Sequence, residues 1–352
     1  MKEVVITIEK LAEKLNREVS LMEVCGTHTV SIFRHGIRSI IPSNIKLLSG
    51  PGCPVCVTPT EDIDRMLYVA KLPNVILTTF GDMMRVPGSN GSLYKAKAEG
   101  ADVRVVYSAL DALAVAEKNK DKKVIFFAVG FETTAPSVAV TVIEAERKGV
   151  ENFYIYSVHK LVPPALEALL NTEELKLDGF ILPGHVSTII GSRPYEFIPL
   201  KYKKACVITG FDADDILYGI MMLLKQIIDN KPKVEIQYKD AVKECGNPKA
   251  VDFIYKCFEL TDSKWRGIGI IPLSGLKLKE EFSHRDVEKV FKMPEIQSIE
   301  PKGCQCGLVL RGVKIPPQCP LFEKVCTPEN PVGACMVSSE GSCAAYYKYG
   351  RT

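Results

Sequence analysis

The 352-residue chain is 46% hydrophobic and 25% charged, ordinary values for a globular protein able to bury a core. A formal net charge of +3 argues against a nucleic-acid footprint, and the one tight basic cluster, Lys201, Lys203 and Lys204, reads as a solvated face. The strongest apolar stretch, 216–224, is far short of the roughly 20 residues that span a bilayer. Acidic residues flank the short apolar patch at the N-terminus and no small-residue cleavage site follows it, so it does not read as a signal peptide. A cytoplasmic protein is expected. There, twelve cysteines point to metal or redox chemistry rather than to a disulfide framework.

Along the chain, short β-rich runs alternate with amphipathic helical patterns. Strands are predicted over 20–24, 46–48, 74–78, 103–107, 124–129, 153–158, 179–182, 206–209 and 267–271. Helices are predicted over 60–71, 109–119, 133–148, 163–170, 212–229 and 248–260. Most strand runs are continuously apolar, as parallel strands covered on both faces are. Repeated β-then-α units predict a parallel α/β architecture with binding sites at the carboxyl ends of strands. Near residue 300 the alternation stops. Residues 301–352 carry six cysteines among frequent Gly and Pro, and read as a module held by a cofactor. A split of the remainder near residue 145 completes the expected division into 1–145, 146–300 and 301–352.

The first candidate site is Cys25-Gly26-Thr27-His28-Thr29, between a strand and a helical pattern starting near Val30. A cysteine just before a helix N-terminus has its thiolate favoured by free backbone N–H groups and the helix dipole. His28 can hold a proton or a metal. Inert packing is the equal alternative for Cys25. The second site is Gly50-Pro51-Gly52-Cys53-Pro54-Val55-Cys56, ahead of a helix start marked by Thr58 as N-cap, Pro59, Glu61 and Asp62. Cys53 and Cys56 can close a small, accessible disulfide, which in a βαβ setting reads as a redox pair. The alternative, half of a zinc site, lacks a second C-x-x-C.

Asp82 and Arg85 follow a predicted strand, as a charge pair or as a solvated loop. Glu132, in Gly130-Phe131-Glu132-Thr133-Thr134, sits where α/β proteins place ligands, and is either a first-turn charge or part of a site. No G-x-G-x-x-G or Walker A string occurs, so nucleotide binding is not expected. His185, in Pro183-Gly184-His185, again follows a strand and suits either a structural or a site role. His35, His159, His284 and Trp265 read as structural, and Met221-Met222 as helix core. The C-terminal cysteines are Cys304, Cys306, Cys319, Cys326, Cys335 and Cys343. Four thiolates complete a 4Fe–4S cubane, and the absence of paired knuckles favours iron–sulfur over zinc.

The strings CGTHT (25–29), GPGCPVC (50–56), GFETTAP (130–136) and LPGHVS (182–187) together resemble the HypD family of nickel–iron hydrogenase maturation proteins, over essentially the whole chain. The spacing Cys304-x14-Cys319-x6-Cys326-x16-Cys343 is similar to that family's cluster motif. The resemblance implies two parallel-sheet α/β domains plus a small C-terminal domain whose 4Fe–4S cluster is held by Cys304, Cys319, Cys326 and Cys343. By this match Cys306 and Cys335 fall outside the ligand set. It brings Glu132 and His185 toward the site. It also implies a job: carrying an iron with cyanide and carbon monoxide ligands during Fe(CN)2CO assembly. Cyanide would come from HypE, and HypC would share the iron and deliver it to the hydrogenase large subunit.

On this reading Cys25 is the first choice of iron ligand, since a soft thiolate suits low-spin iron, with Cys56 or a partner cysteine as the second. A cluster near Cys53 and Cys56 could supply electrons by thiol–disulfide exchange. Independent turnover does not follow. The alternative is a stand-alone iron–sulfur thiol-disulfide reductase, which uses Cys53 and Cys56 but gives Cys25 no role. A zinc-stapled interaction protein is the third reading.

Overall fold

The structure, a computed structural model, describes residues 2–172 and 176–350. Its strands are β1 (Val19–Glu23), β2 (Ile45–Ser49), β3 (Val75–Thr79), β4 (Val103–Val105), β5 (Lys123–Ala128) and β6 (Phe153–Ser157). They continue as β7 (Gly179–Pro183), β8 (Ala205–Thr209), β9 (Val234–Ile236), β10 (Phe258–Trp265) and β11 (Gly269–Leu278). The continuously apolar runs form parallel sheets as expected. One sheet has the order β2-β1-β7-β8-β9 and the other β4-β3-β5-β6, with every pairing parallel. β10 and β11 form a separate antiparallel hairpin. No helix among the described residues is long and apolar enough to cross a membrane.

The chain leaves the first sheet after β2, builds the whole second sheet, and returns as β7 beside β1. A division near residue 145 therefore does not follow the sheets. That point lies inside the helix Ala135–Arg147, which joins β5 to β6, and these two strands are hydrogen-bonded neighbours. In both sheets the strand order reverses next to the first strand, between β1 and β7 and between β3 and β5. Such a reversal opens a crevice at the carboxyl ends.

Three differences from the predicted elements have local causes. The N-terminal apolar patch belongs to a helix, Lys2–Leu15, that buries Val4, Ile8 and Ala12 in one core with Ile216 and Ile220 of the helix Ala213–Ile228. β10 interrupts the helical pattern expected to run to 260, because the helix Pro248–Cys257 gives way to a half-exposed strand whose polar residues hide its alternation. Thr58 does not cap the following helix, which runs Thr60–Ala70 from Pro59. Its hydroxyl instead donates to the Pro54 carbonyl at 2.8 Å and closes the short helix Pro54–Val57.

The cysteine-rich C-terminus does change character, into short helices: Cys306–Leu310, Ala334–Val337 and Ser342–Tyr349. They cover the helix Gly26–Arg34 and the helix Pro54–Val57. Phe33 meets Tyr346 edge-on at 4.2 Å, and the Arg38 guanidinium lies 4.7 Å over Phe33. Since Ile8 is wholly buried between the first helix and the first sheet, Ile8→Ala is expected to lower the unfolding free energy by about 2–5 kcal/mol. Urea titration should show a lower midpoint at unchanged slope. A loss under about 1 kcal/mol would mean that this helix is not part of the packed core.

Candidate functional site

β1 and β2 end level with each other, Glu23 opposite Ser49, so the loops that follow emerge side by side. The Gly26 N–H donates to the Gly52 carbonyl at 3.0 Å, tying the Cys25 loop to the Cys53 loop. A Cβ on Gly52 would lie 2.3 Å from the Cys25 nitrogen, so only glycine permits this approach. Cys25 is the N-cap of the helix Gly26–Arg34 and Cys53 the N-cap of Pro54–Val57. The Cys53 and Cys56 sulfurs meet, with their Cα atoms 5.3 Å apart, inside the span of a disulfide. The pair is not accessible as expected: Cys53 is 3% and Cys56 0% exposed, under the hairpin and the C-terminal helices.

The Cys25 thiol departs from the expected lowering. It is pushed up to about 12, by burial first and then by the Glu340 carboxylate. The N–H groups of Thr27 and His28 do favour its anion, as a helix N-terminus should, but they are outweighed. Glu340 is fixed there by the Thr27 hydroxyl, which donates to it at 2.8 Å. Glu23, which the sequence reading did not single out, braces the loop from below. It accepts from Thr29 Oγ1 and from the Cys25 N–H, and burial pushes it up to about 7. An acid closing an apolar strand just ahead of the motif was the available signal.

His28 Nε2 lies 2.9 Å from the Gly210 carbonyl and from Thr209 Oγ1 beyond β8. A carbonyl only accepts, so Nε2 carries the proton and Nδ1, which has no partner, is the basic nitrogen. Burial lowers this ring to about 4, so it is neutral near pH 7. His28 stacks on Phe211 at 4.7 Å, and His185 stacks on the same ring at 4.0 Å. His185 is exposed at the rim, and its pKa is lowered, by desolvation first. The strand-end loops of the first sheet thus bring Cys25, His28, Cys53, Cys56 and His185 to one edge. Phe211, the aromatic on which both imidazoles stack, carried no motif.

Glu132 arrives from the second sheet, after β5. Its Oε1 accepts the Val162 N–H at 2.8 Å, Oε2 has no partner, and burial pushes the carboxyl up to about 7. Tyr195 is wholly buried with an unpartnered hydroxyl that feels both Glu132 and the Cys25 thiol, and burial raises it. Asp82 and Arg85 do not form the pair considered above. The Ser338 hydroxyl donates to Asp82 at 2.9 Å and Arg85 donates to the Pro328 carbonyl, so both fasten the C-terminal module. Trp265 stacks on Phe131 and donates to Ser274 Oγ at 2.9 Å, a structural role as read.

All six C-terminal thiols face the core that also contains Cys53 and Cys56, with Cys304 and Cys319 half-buried at its margin. Cys304 Sγ lies 3.3 Å from Cys306 Sγ, and a Cβ on Gly333 would lie 2.6 Å and 2.5 Å from these two sulfurs. Cys306 also touches Cys335 and Cys343, so the two cysteines outside the implied ligand set sit among the others. The Cys306 S–H holds Cys304 down to about 7, helped by the Arg266 guanidinium, which keeps an unpartnered buried N–H. Among the described residues no three His, Cys, Asp or Glu side chains converge as ligands of a single ion. Four thiolates, the glycine cradle at Gly333 and a buried cation suit a polynuclear, negatively charged group better.

Fold and site define a parallel α/β protein organised around buried thiols, with a cysteine module closing the carboxyl edge of one sheet. A family model described as the hydrogenase formation hypA family, named HypD, matches residues 1–350, and the chain belongs to that family. It is 48% identical over 338 residues to the hydrogenase maturation factor HypD2 of Bradyrhizobium diazoefficiens, covering 94% of this chain and 89% of that protein. To a putative hydrogenase expression/formation protein of Methanocaldococcus jannaschii it is 47% identical, over 100% of this chain and 97% of that one. The hydrogenase maturation factor HypD of Azotobacter vinelandii is 47% identical over 95% of this chain and 90% of its own length.

The raised Glu132 carboxyl has a thermodynamic consequence. Its folded pKa of about 7 lies above the ordinary glutamate value, so the native state binds the extra proton between those two limits. Its contribution is intact below about pH 4.5 and is lost as pH rises through 7. Glu132→Gln should therefore raise the thermal midpoint above pH 7 and flatten its fall between pH 4.5 and 7. An unchanged pH profile would mean that the carboxyl is hydrated. Gly52→Ala should part the two loops, lowering the thermal midpoint and slowing closure of the Cys53–Cys56 disulfide.

Proposed function

We propose that this chain acts in hydrogenase maturation as a scaffold and redox protein for assembly of the Fe(CN)2CO group, together with HypC and HypE. The observation that carries the reading is the packing of the Cys53–Cys56 pair and the C-terminal thiols in one core, with the loop of half-buried Cys25 tied to the Cys53 loop at the carboxyl edge of the same sheet. Membership of the HypD family and the names of the relatives support the maturation role.

Iron is the substrate here, and Cys25 is its ligand. The thiol is raised, so the metal must displace its proton, and binding releases that proton. Cys56 or a cysteine of HypC supplies a second sulfur. Neutral His28 offers Nδ1 as a base beside the loop, and Phe211 fixes both imidazoles. Glu132 and Tyr195 provide further buried protons.

Cys304, Cys319, Cys326 and Cys343 would hold the 4Fe–4S cluster, which supplies single electrons when bound. Cys53 and Cys56 take up two electrons and two protons as their disulfide opens to two thiols. Burial of both cysteines favours this internal use over a stand-alone thiol-disulfide reductase, which must open the pair to a protein substrate.

Infrared spectra of the anaerobically purified complex with HypC test the proposal. Cys25→Ser should fold, keep its brown colour and still form the Cys53–Cys56 disulfide, yet lose the metal-bound CN and CO bands. Intact bands with reduced thermal stability would remove Cys25 from the site. Separately, alanine at Cys304, Cys319, Cys326 or Cys343 should abolish iron and sulfide, whereas Cys306→Ala and Cys335→Ala should retain them. Loss of iron on either of the latter two changes would overturn the ligand set.

A further inference from the structure

Arg266 is one of the few cations that this fold buries, with 4% of its side chain exposed. It sits in the turn between β10 and β11, wedged between the Cys53–Cys56 helix and the cysteine module. Its N–H donates to the Val57 carbonyl and its Nε to the Thr58 carbonyl, both at 2.8 Å, just beyond Cys56. Nη1 donates to Thr60 Oγ1 at 2.9 Å and to Glu300 at 3.0 Å. On the other side, Gly267 has φ +75° and presses on Gly307, next to Cys306, so closely that a Cβ would come within 2.1 Å of its Cα. Nη2 is buried and has no acceptor. A buried charged donor left without an acceptor is costly, and this one belongs to a turn packed on Gly307 beside Cys306, whose sulfur lies 3.3 Å from that of Cys304. Glu300, which is largely exposed, partly balances the charge through its ion pair at 3.0 Å.

We propose that Arg266 is a positioning residue that sets the reduction potential of a cluster held at Cys304 and locks it against the Cys53–Cys56 helix. The proposal rests on the cluster reading given above. Each electron added to a thiolate-held cluster adds a negative charge. A buried cation with a spare N–H beside one of its thiolates stabilises that charge and raises the potential. Because Arg266 holds the carbonyls that follow Cys56, that of Val57 through its backbone N–H and that of Thr58 through Nε, it also spans the path between the cluster's cysteines and the disulfide.

The test is an EPR-monitored redox titration of the full chain, purified anaerobically, with iron, sulfide and thermal midpoint measured alongside. Arg266→Gln should weaken reduction about tenfold, a downward shift of about 59 mV for one electron. Arg266→Lys should recover most of it. Glu300→Gln should shift the potential upward by less, since an exposed carboxylate is screened. A cluster retained at unchanged potential in both glutamine variants overturns the proposal, even if the Arg266 variant melts earlier, because the arginine then only pins the hairpin. If Arg266→Gln fails to fold, the absence of an upward shift in Glu300→Gln does the same. A wild-type chain without iron and sulfide would instead overturn the cluster reading itself, and this role with it.

Discussion

The site depends on a backbone contact, the approach of the loop after β1 to the loop after β2. Parallel pairing brings Glu23 level with Ser49, and the hydrogen bond from Gly26 to Gly52 holds the next turn of chain together. The missing side chain of Gly52 lets main chain meet main chain, with no room for a Cβ against the Cys25 nitrogen and the Val24 carbonyl carbon. Cys25 and Cys53 then each begin a helix from the same level of the sheet. Their proximity is therefore a property of the sheet and its backbone contacts, not of thiol attraction.

Much of this was legible in the sequence, because strand runs and loop motifs are local signals. Cys25, Cys53, Glu132 and His185 do follow parallel strands, as continuous apolar runs ending in Gly- or Pro-rich turns predict. What could not be read is partnership. Nothing in the period of 20–24 says that its second neighbour is β7, reached only after another sheet has been built. For that reason a boundary near residue 145 does not coincide with a boundary between the sheets. The raised Cys25 thiol was hidden for a similar reason: its helix N-terminus is adjacent in sequence, whereas the burial that dominates, and Glu340 after it, come from distant parts of the chain. Arg266 carries no motif at all. Its meaning comes from Val57, Thr58 and Cys304, which only folding brings to it.

The C-terminal module works as a lid fastened from several directions. Thr27 grips Glu340, Asp82 accepts from Ser338, Arg85 reaches Pro328, and Phe33 packs on Tyr346. These contacts come from both sheets, so the module bridges their carboxyl edges. It also removes water from Cys53 and Cys56. Exclusion of water strengthens every remaining electrostatic interaction in the region, which gives a few fixed charges large effects.

Those charges are distributed unequally. Around Cys25 two neighbours are acids: Glu23, pushed up to about 7, accepts its N–H, and Glu340 adds to the burial that raises the thiol. Cys304 is lowered to about 7, by the Cys306 thiol first, with the Arg266 guanidinium adding to it. Near neutral pH the first region holds its protons and the second tends to release one. A thiol kept protonated is a poor ligand until a cation arrives to replace the proton, and the same acids that raise it then attract that cation. The region around Cys25 therefore suits a metal that must be accepted and later given up. An anion-favouring site beside a fixed cation suits thiolates that stay bound. The two thiols thus lie in opposite settings: burial and then Glu340 raise Cys25, whereas the Cys306 thiol and then the Arg266 guanidinium lower Cys304.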